Sequence, residues 1–277
     1  MKKLLLVAIV AGSFSIANAQ QLRTPAPSPA QTIKQDFGLS NIELSYSRPG
    51  VRGRQIFGDL VPYGKVWRTG ANNATTLTFG DEVIIGGKKI PAGKYGLLTI
   101  PGADEWTMII SKQTDVSSPA AYKESEDMVR VKVKPVKADI NSETFTMQFA
   151  NVKPESIDLV MRWDDLMLNM PISAEVGEKV MAQINNLMNK DNRPYFGAAM
   201  YYIDNGKDLN QALAWLDKAV EQNPNAFWIH HQRANTLARL GKKAEARTAA
   251  NKSMELARTA KSDDYISLNE KLLAELK

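Results

Sequence analysis

The sequence predicts a mostly β, antiparallel sandwich or jelly-roll-like domain, followed by an all-α segment of helical repeats. Residues 32–173 contain about nine or ten short stretches with strand patterning, and glycine and proline turn signals separate them. From residue 174 onward, helix-forming residues with helical spacing replace this pattern. No strands alternate with helices in the way that a doubly wound fold requires, so we expect two parts of different class.

The amino terminus predicts export. Lys2 and Lys3 precede an apolar stretch, residues 4–16, and Ala17-Asn18-Ala19 has the small-residue pattern of a cleavage site. The stretch is shorter than the roughly 20 residues that a membrane span needs. We therefore expect cleavage between Ala19 and Gln20, and a chain that is periplasmic or secreted, without a later membrane span.

Charge and cysteine content exclude several classes of site. The chain has no cysteine, which rules out disulfides and thiolate metal ligands. The net charge of +5 falls to +3 when Lys2 and Lys3 are removed, and the basic residues do not cluster on one predicted face. We expect no nucleic-acid partner.

The first part of the exported chain is predicted to be a linker and then a strand. Residues 20–31 contain Pro25, Pro27 and Pro29 among small polar residues, which favours an extended linker. Apolar side chains then alternate at Ile42, Leu44 and Tyr46, up to the turn signal at residues 48–50.

Later strands follow the same period of two residues. Gly86-Gly87 lies between two short β-patterned runs and predicts a tight hairpin. Residues 95–100 and 106–110 predict two strands joined by a turn. Alternating apolar residues predict four more strands, at Val129, Val131, Val133; Phe145, Met147, Phe149; Ile157, Leu159, Met161, Trp163; and Leu166, Leu168, Met170, Ile172. Asp164-Asp165 is interpreted as a turn between the last two.

Residues 174–277 predict an α-helical segment with an internal repeat. An amphipathic helix is expected within residues 175–189. Ala212 and Ala246 lie 34 residues apart, as do Ala219 and Ser253, and these small residues resemble the tetratricopeptide repeat. The resemblance implies at most two helix pairs with a cap, and a groove that binds a protein partner.

A dense set of motifs carries a second resemblance. They are residues 46–58, residues 60–75, residues 86–95 and Ile100-Pro101-Gly102. These motifs resemble the exported bacterial family catalogued as domain of unknown function 2911, over roughly residues 28–172. The resemblance implies export, a β-rich domain and a helical carboxy-terminal extension, and it brings no established activity or catalytic residues.

The same motifs contain the candidate binding residues. Guanidinium groups bind carboxylates and phosphates through paired hydrogen bonds, and glycine-rich loops often display such groups. An acidic or glycan ligand is therefore one hypothesis, with the candidate residues Arg48, Arg54, Trp67, Arg68, Asn72 and Asn73. The alternative is structural: the arginines, with Arg52, pair with Glu43, Asp59, Asp81 or Glu82 and bridge loop carbonyls. If Trp67 and Arg68 lie on one strand, they face opposite sides and do not share a pocket.

Signatures of catalysis are missing from the sequence. His230 and His231 are adjacent on a predicted helix, and no nucleophile motif or metal-ligand spacing accompanies them. We therefore expect no catalytic residue, metal or cofactor, and interpret the chain as a non-enzymatic binding or scaffold protein of the envelope. The alternative is an enzyme that acts on envelope glycans, in which Arg48, Arg54 and Arg68 bind substrate and Asp59 or Asp81 is the acid or base.

Overall fold

The computed structural model describes residues 24–190 and 193–276. The predicted signal peptide and its cleavage site lie outside these residues. The chain forms two compact units, of which the first ends at Glu175 and the second begins at Val176.

The first unit is built from ten strands within the described residues, with two short 3-10 helices at Pro119–Ala121 and Glu124–Glu126. The first strand begins inside the proline-containing segment. The strands are β1 Ala30–Phe37, β2 Ser40–Ser47, β3 Thr76–Phe79, β4 Val83–Ile85, β5 Lys88–Ile90, β6 Gly93–Ile100, β7 Trp106–Ser111, β8 Asp127–Val133, β9 Val136–Ala150 and β10 Ser156–Ser173.

These strands form two antiparallel sheets, which confirms the predicted fold class. One sheet has the order β1-β2-β3-β6-β7-β8, and the other has the order β5-β4-β10-β9. The chain leaves the first sheet after β3, forms the β4–β5 hairpin in the second and returns as β6. Gly86 and Gly87 turn this hairpin with φ of 57° and 76°, the left-handed conformation that glycine adopts without a steric penalty.

Aromatic side chains join the two sheets. The Tyr46 hydroxyl on β2 donates to the Met147 carbonyl on β9 at 3.0 Å and accepts from the Met147 amide at 2.9 Å. Burial raises the pKa of Tyr46, and the Met147 hydrogen bond offsets part of that rise. Trp106 on β7 and Trp163 on β10 are both fully buried, and both contact Phe57 edge to face. The core of the unit therefore lies between the sheets.

The prediction of a turn at Asp164-Asp165 is wrong. These residues lie inside β10, a single strand of 18 residues, and Asp164 has a φ of 53° where the register with β9 shifts. Pairing with β9 on both sides, at Arg162 and at Leu166, keeps the chain extended. The irregularity moves the buried positions from odd-numbered residues such as Trp163 to even-numbered ones such as Leu168.

The second unit contains six helices within the described residues, as the helical-repeat prediction requires. They are α1 Gly177–Leu187, α2 Tyr195–Asp204, α3 Leu209–Gln222, α4 Phe227–Arg239, α5 Lys243–Thr259 and α6 Asp263–Glu275. Asp208 caps α3 by accepting from the Asn210 amide at 2.8 Å. Gly206 and Gly241 end α2 and α4 with φ of 64° and 75°.

The small residues of the repeat lie where helices meet. The side chains of the residues that repeat at an interval of 34, and that of Ala234, are all 0% exposed: Ala212, Ala219, Ala234, Ala246 and Ser253. A bulkier side chain at these positions would push paired helices apart, which explains why the repeat keeps them small. Among residues 24–190 and 193–276, no helix has both the length and the apolar character to cross a membrane.

Candidate functional site

A long irregular segment between β2 and β3, residues 48–75, forms the candidate site, and we call it the cavity loop. It is bound to both sheets. Trp67 exchanges backbone hydrogen bonds of 2.7 and 2.9 Å with Thr99 on β6, while the Val51 amide donates to the Glu143 carbonyl on β9 at 2.7 Å. The loop is therefore held in place although it contains no strand or helix.

Two neighbouring residues set the position of Trp67. Thr69 is fully buried with a φ of 55°, which is unusual for a β-branched residue, and its carbonyl accepts from the Thr75 hydroxyl at 2.7 Å. The Gly70 carbonyl accepts from the Trp67 indole Nε1 at 3.0 Å. The indole is thus fixed by the strained turn that follows it.

A cavity of about 530 Å³ opens against the cavity loop. This volume is typical of sites for small organic ligands. Its walls come from the cavity loop, from Pro27 and Ser28, from residues 116–119 and from Trp163 on β10. The lining residues are Pro27, Ser28, Pro49, Gly50, Arg52, Arg54, Leu60, Val61, Pro62, Lys65, Val66, Trp67, Arg68, Gly70, Ala71, Val116, Ser117, Ser118, Pro119 and Trp163.

Positive charge dominates this lining. Arg52, Arg54, Lys65 and Arg68 are its charged residues, and it includes no aspartate or glutamate. Across the described part of the chain, none of the four forms an ion pair with a carboxylate. The charged side chains that face the cavity are therefore all cationic.

The three guanidinium groups bind backbone carbonyls instead. Arg52 donates to Pro27 at 2.6 Å, Arg54 donates to Gly50 at 2.6 Å and to Val51 at 3.0 Å, and Arg68 donates to Ser117. The Arg68 Nε is buried and has no acceptor among the described residues. Carbonyls fix these side chains without neutralising them, so the carbonyl-bridging part of the structural interpretation is observed. Within residues 24–190 and 193–276, Arg52, Arg54 and Arg68 form no ion pair with Glu43, Asp59 or Glu82.

Aromatic and aliphatic side chains form the rest of the wall. The Trp67 and Trp163 rings are stacked, with centroids 5.7 Å apart and planes 18° apart. Trp163 is 1% exposed, and its indole Nε1 has no acceptor within the described residues. Leu60 is 43% exposed at the cavity. One cavity thus combines cations with an apolar surface.

The structure brings three of the six candidate binding residues to the cavity: Arg54, Trp67 and Arg68. Arg48 instead binds β9, donating to the Thr146 hydroxyl at 2.9 Å and to the Phe145 carbonyl at 3.2 Å. Asn72 donates to the Ser28 carbonyl at 3.1 Å, and Asn73 is exposed outside the lining.

Trp67 and Arg68 share the cavity, contrary to the expectation for two residues on one strand. Only a single bridge, between Trp67 and Thr99, forms here, and the backbone turns at Thr69. Sequence reasoning missed Lys65 and Trp163 as lining residues. Lys65 stands two residues before Trp67 in the same motif, whereas Trp163 reaches the cavity only through the pairing of distant strands.

Groups for acid–base or metal chemistry are sparse near the cavity. The Glu143 carboxylate on β9 accepts from the Arg52 amide at 2.9 Å, and Asp59 and Asp81 are not lining residues. No cluster of three histidine, aspartate or glutamate side chains suited to a metal ion occurs in the described parts of the chain. His230 and His231 lie on α4 and bind the Pro224 carbonyl and Asn269, at 2.8 and 2.9 Å.

Comparison with known proteins places this site inside a family domain. The model of the family described as "Protein of unknown function (DUF2911)" matches residues 28–172, and a tetratricopeptide repeat model matches residues 215–248. No curated protein and no solved structure matches the chain. Every lining residue except Pro27 falls within the first match. The chain therefore belongs to the DUF2911 family and carries a tetratricopeptide repeat behind the family domain.

Proposed function

We propose that the protein is an exported, non-enzymatic binding or scaffold protein of the bacterial cell envelope. In this proposal the β domain binds an anionic ligand in its cavity, and the helical unit binds a protein partner. The observation that carries it is the cavity lined by four cations and no carboxylate, with none of the four in an ion pair within the described residues. Binding an anion would compensate this charge.

The tetratricopeptide match supports the partner-binding role. Repeats of this type suggest protein–protein interaction, because stacked helix pairs leave a continuous surface on which another chain can lie. Export is supported by Lys2, Lys3, the apolar stretch and the cleavage pattern at residues 17–19. Intact mass of the chain recovered from a periplasmic extract tests it: we expect Gln20 as the first residue, and a retained Met1 would contradict export by cleavage.

The alternative of an enzyme acting on envelope glycans receives less support from the geometry. General acid–base chemistry on a glycosidic bond needs carboxyl groups close to the bound sugar. Asp59 and Asp81 are not among the lining residues, and neither is Glu143, whose carboxylate accepts from the Arg52 backbone amide. We therefore retain the binding role as the proposal.

A pull-down from envelope extract tests the partner-binding role. The exported chain is compared with a chain ending at Glu175, and with a variant in which Lys65 and Arg54 are replaced by Gln. We expect protein partners to be lost on truncation and retained in the charge variant. Partners that stay bound to the truncated chain would contradict a role for the helical unit.

A further inference from the structure

We propose that the cavity binds an amphipathic organic anion: a carboxylate or phosphate attached to a flat apolar group. The inference rests on the proposed function and specifies its ligand. It follows from two features of the same wall, the unpaired cations and the stacked pair Trp67–Trp163.

The cations indicate an oxyanion. Lys65 is exposed in the lining and its ammonium group has no hydrogen-bond or ion-pair partner among the described residues, so it is available to a ligand. Arg52 uses only Nη2 for the Pro27 carbonyl, and its Nε and Nη1 have no acceptor in the part of the chain that the structure describes. Arginine and lysine both donate charge-assisted hydrogen bonds to carboxylates and phosphates.

The other polar groups of the lining argue against a neutral sugar. Recognition of sugar hydroxyls uses side chains that accept as well as donate hydrogen bonds, such as carboxylates and amides. The lining contains no Asp, Glu, Asn or Gln, and its neutral polar side chains are the three serines Ser28, Ser117 and Ser118. The chemistry of the wall therefore matches an acidic ligand rather than an uncharged glycan.

The apolar wall indicates that the anion is part of a larger molecule. An inorganic ion would fill a small part of about 530 Å³ and would leave the exposed surface of Leu60 and of the half-buried Trp67 uncovered. Flat apolar groups pack well against indole rings, and the surface that Leu60 exposes is available for burial. An aromatic or similarly planar group therefore fits the part of the cavity wall that Trp67 and Leu60 form.

Calorimetric titration of the purified chain, residues 20–277, with four probes tests the proposal. 1-Naphthyl phosphate and 1-naphthoate combine a flat apolar group with the two oxyanions, 1-naphthol lacks the charge, and inorganic phosphate lacks the ring. We expect the two naphthyl anions to bind, and 1-naphthol and inorganic phosphate to bind at least about 10-fold more weakly. Added salt should weaken the binding of the two naphthyl anions and leave the binding of 1-naphthol unchanged.

Matched variants locate the binding. Lys65→Ala should weaken the binding of the naphthyl anions by about 10-fold. Lys94 is an exposed lysine outside the lining, and Lys94→Ala should leave this binding unchanged. Leu60→Gln should weaken the binding of the naphthyl anions by about 3- to 10-fold through lost apolar contact. Leu39→Gln, at a similarly exposed leucine outside the lining, should leave it unchanged. Within the described ranges, no side-chain hydrogen bond involves Lys65 or Leu60, so we expect these variants to fold normally.

The outcomes separate the ligand class from the function. Inorganic phosphate that binds as tightly as 1-naphthyl phosphate would overturn the amphipathic class and leave anion binding intact. Equal affinity for 1-naphthol would overturn the requirement for charge. If none of the probes binds at about 1 mM, the inference fails, while the pull-down decides the partner-binding role independently.

Discussion

At the scale of single residues, the position of Trp67 depends on the backbone at Gly70. This glycine has a φ of 155°, and a Cβ there would lie 3.0 Å from the Ser47 carbonyl oxygen and 3.1 Å from the Thr75 hydroxyl. Its own carbonyl accepts from the Trp67 indole. A side chain at position 70 would displace the turn that holds one wall of the cavity.

Gly70→Ala should lower the free energy of unfolding by about 1–3 kcal/mol because the new methyl group crowds two fixed oxygens. Urea unfolding followed by tryptophan fluorescence measures the change. Gly197→Ala is the control with the opposite sign: nothing lies within 4 Å of a Cβ there, and alanine should stabilise α2 by about 0.5–1 kcal/mol. An unchanged unfolding curve for Gly70→Ala would contradict the role assigned to this turn.

Tyr122 provides a prediction on pH. Burial, followed by its hydrogen bond of 2.5 Å to Asp127, raises the pKa of Tyr122 from 10.0 to about 12. The folded state thus favours the protonated phenol, and this stabilisation is complete below about pH 10 and lost as the pH rises through about 12. The difference in unfolding free energy between the native chain and Tyr122→Phe should shrink over that window. A difference that is constant from pH 8 to about 12 would contradict it.

At the scale of elements, a buried polar network joins α4, α5 and α6. The Asn269 side chain, 0% exposed, donates to the Ser253 hydroxyl at 2.9 Å and to the Tyr265 carbonyl at 2.7 Å. Its Oδ1 lies 2.9 Å from His231 Nδ1, while the side-chain Nδ2 of Asn235 lies 3.0 Å from His231 Nε2. Because Asn269 Oδ1 can only accept, His231 carries its proton on Nδ1.

Asn269→Ala should lower the stability of the helical unit by about 2–3 kcal/mol, since it leaves the buried His231 Nδ1 proton without its acceptor and removes the hydrogen bond that the Ser253 hydroxyl accepts. Thermal unfolding followed by circular dichroism at the helical band measures the loss. Asn186→Ala, at an exposed position on α1, should change little. Equal melting temperatures for the two variants would show that the network does not stabilise the packing of α4–α6.

Some of the strands and helices can be predicted from the sequence because their signals are local. Alternation is a local signal, so the strand through Ile42, Leu44 and Tyr46 and the Gly86-Gly87 hairpin are visible in the sequence. The small residues of the repeat are visible because their spacing recurs. The continuity of β10 through Asp164 was not predictable, because it depends on pairing with β9 rather than on the two aspartates themselves.

The candidate site was predictable only in part, for the same reason. Arg54, Trp67 and Arg68 lie in two adjacent motifs, residues 46–58 and 60–75, and their clustering is visible without knowledge of the fold. The contribution of Trp163 arises when β10 pairs in the second sheet, and Arg48 leaves the cluster because β9 offers it acceptors at Phe145 and Thr146. Non-local pairing therefore decides which of the motif's side chains reach the cavity.

At the scale of the whole molecule, the cavity belongs entirely to the first compact unit. All of its lining residues precede Glu175, and this unit has its own core between two sheets. A chain of residues 20–175 should fold with a strand-rich circular dichroism spectrum and bind 1-naphthyl phosphate within about 2-fold of the longer chain. Loss of binding in a folded truncated chain would contradict the assignment of the site to the β domain.

The central claim is that the cationic, tryptophan-walled cavity is a ligand site, and a crystal structure grown with 1-naphthyl phosphate tests it most directly. We predict electron density for the ring system against Trp67 and Leu60, with the phosphate within hydrogen-bond distance of Lys65 or Arg68. Well-ordered crystals in which the cavity contains only water, or in which the ligand lies elsewhere on the β domain, would contradict the claim.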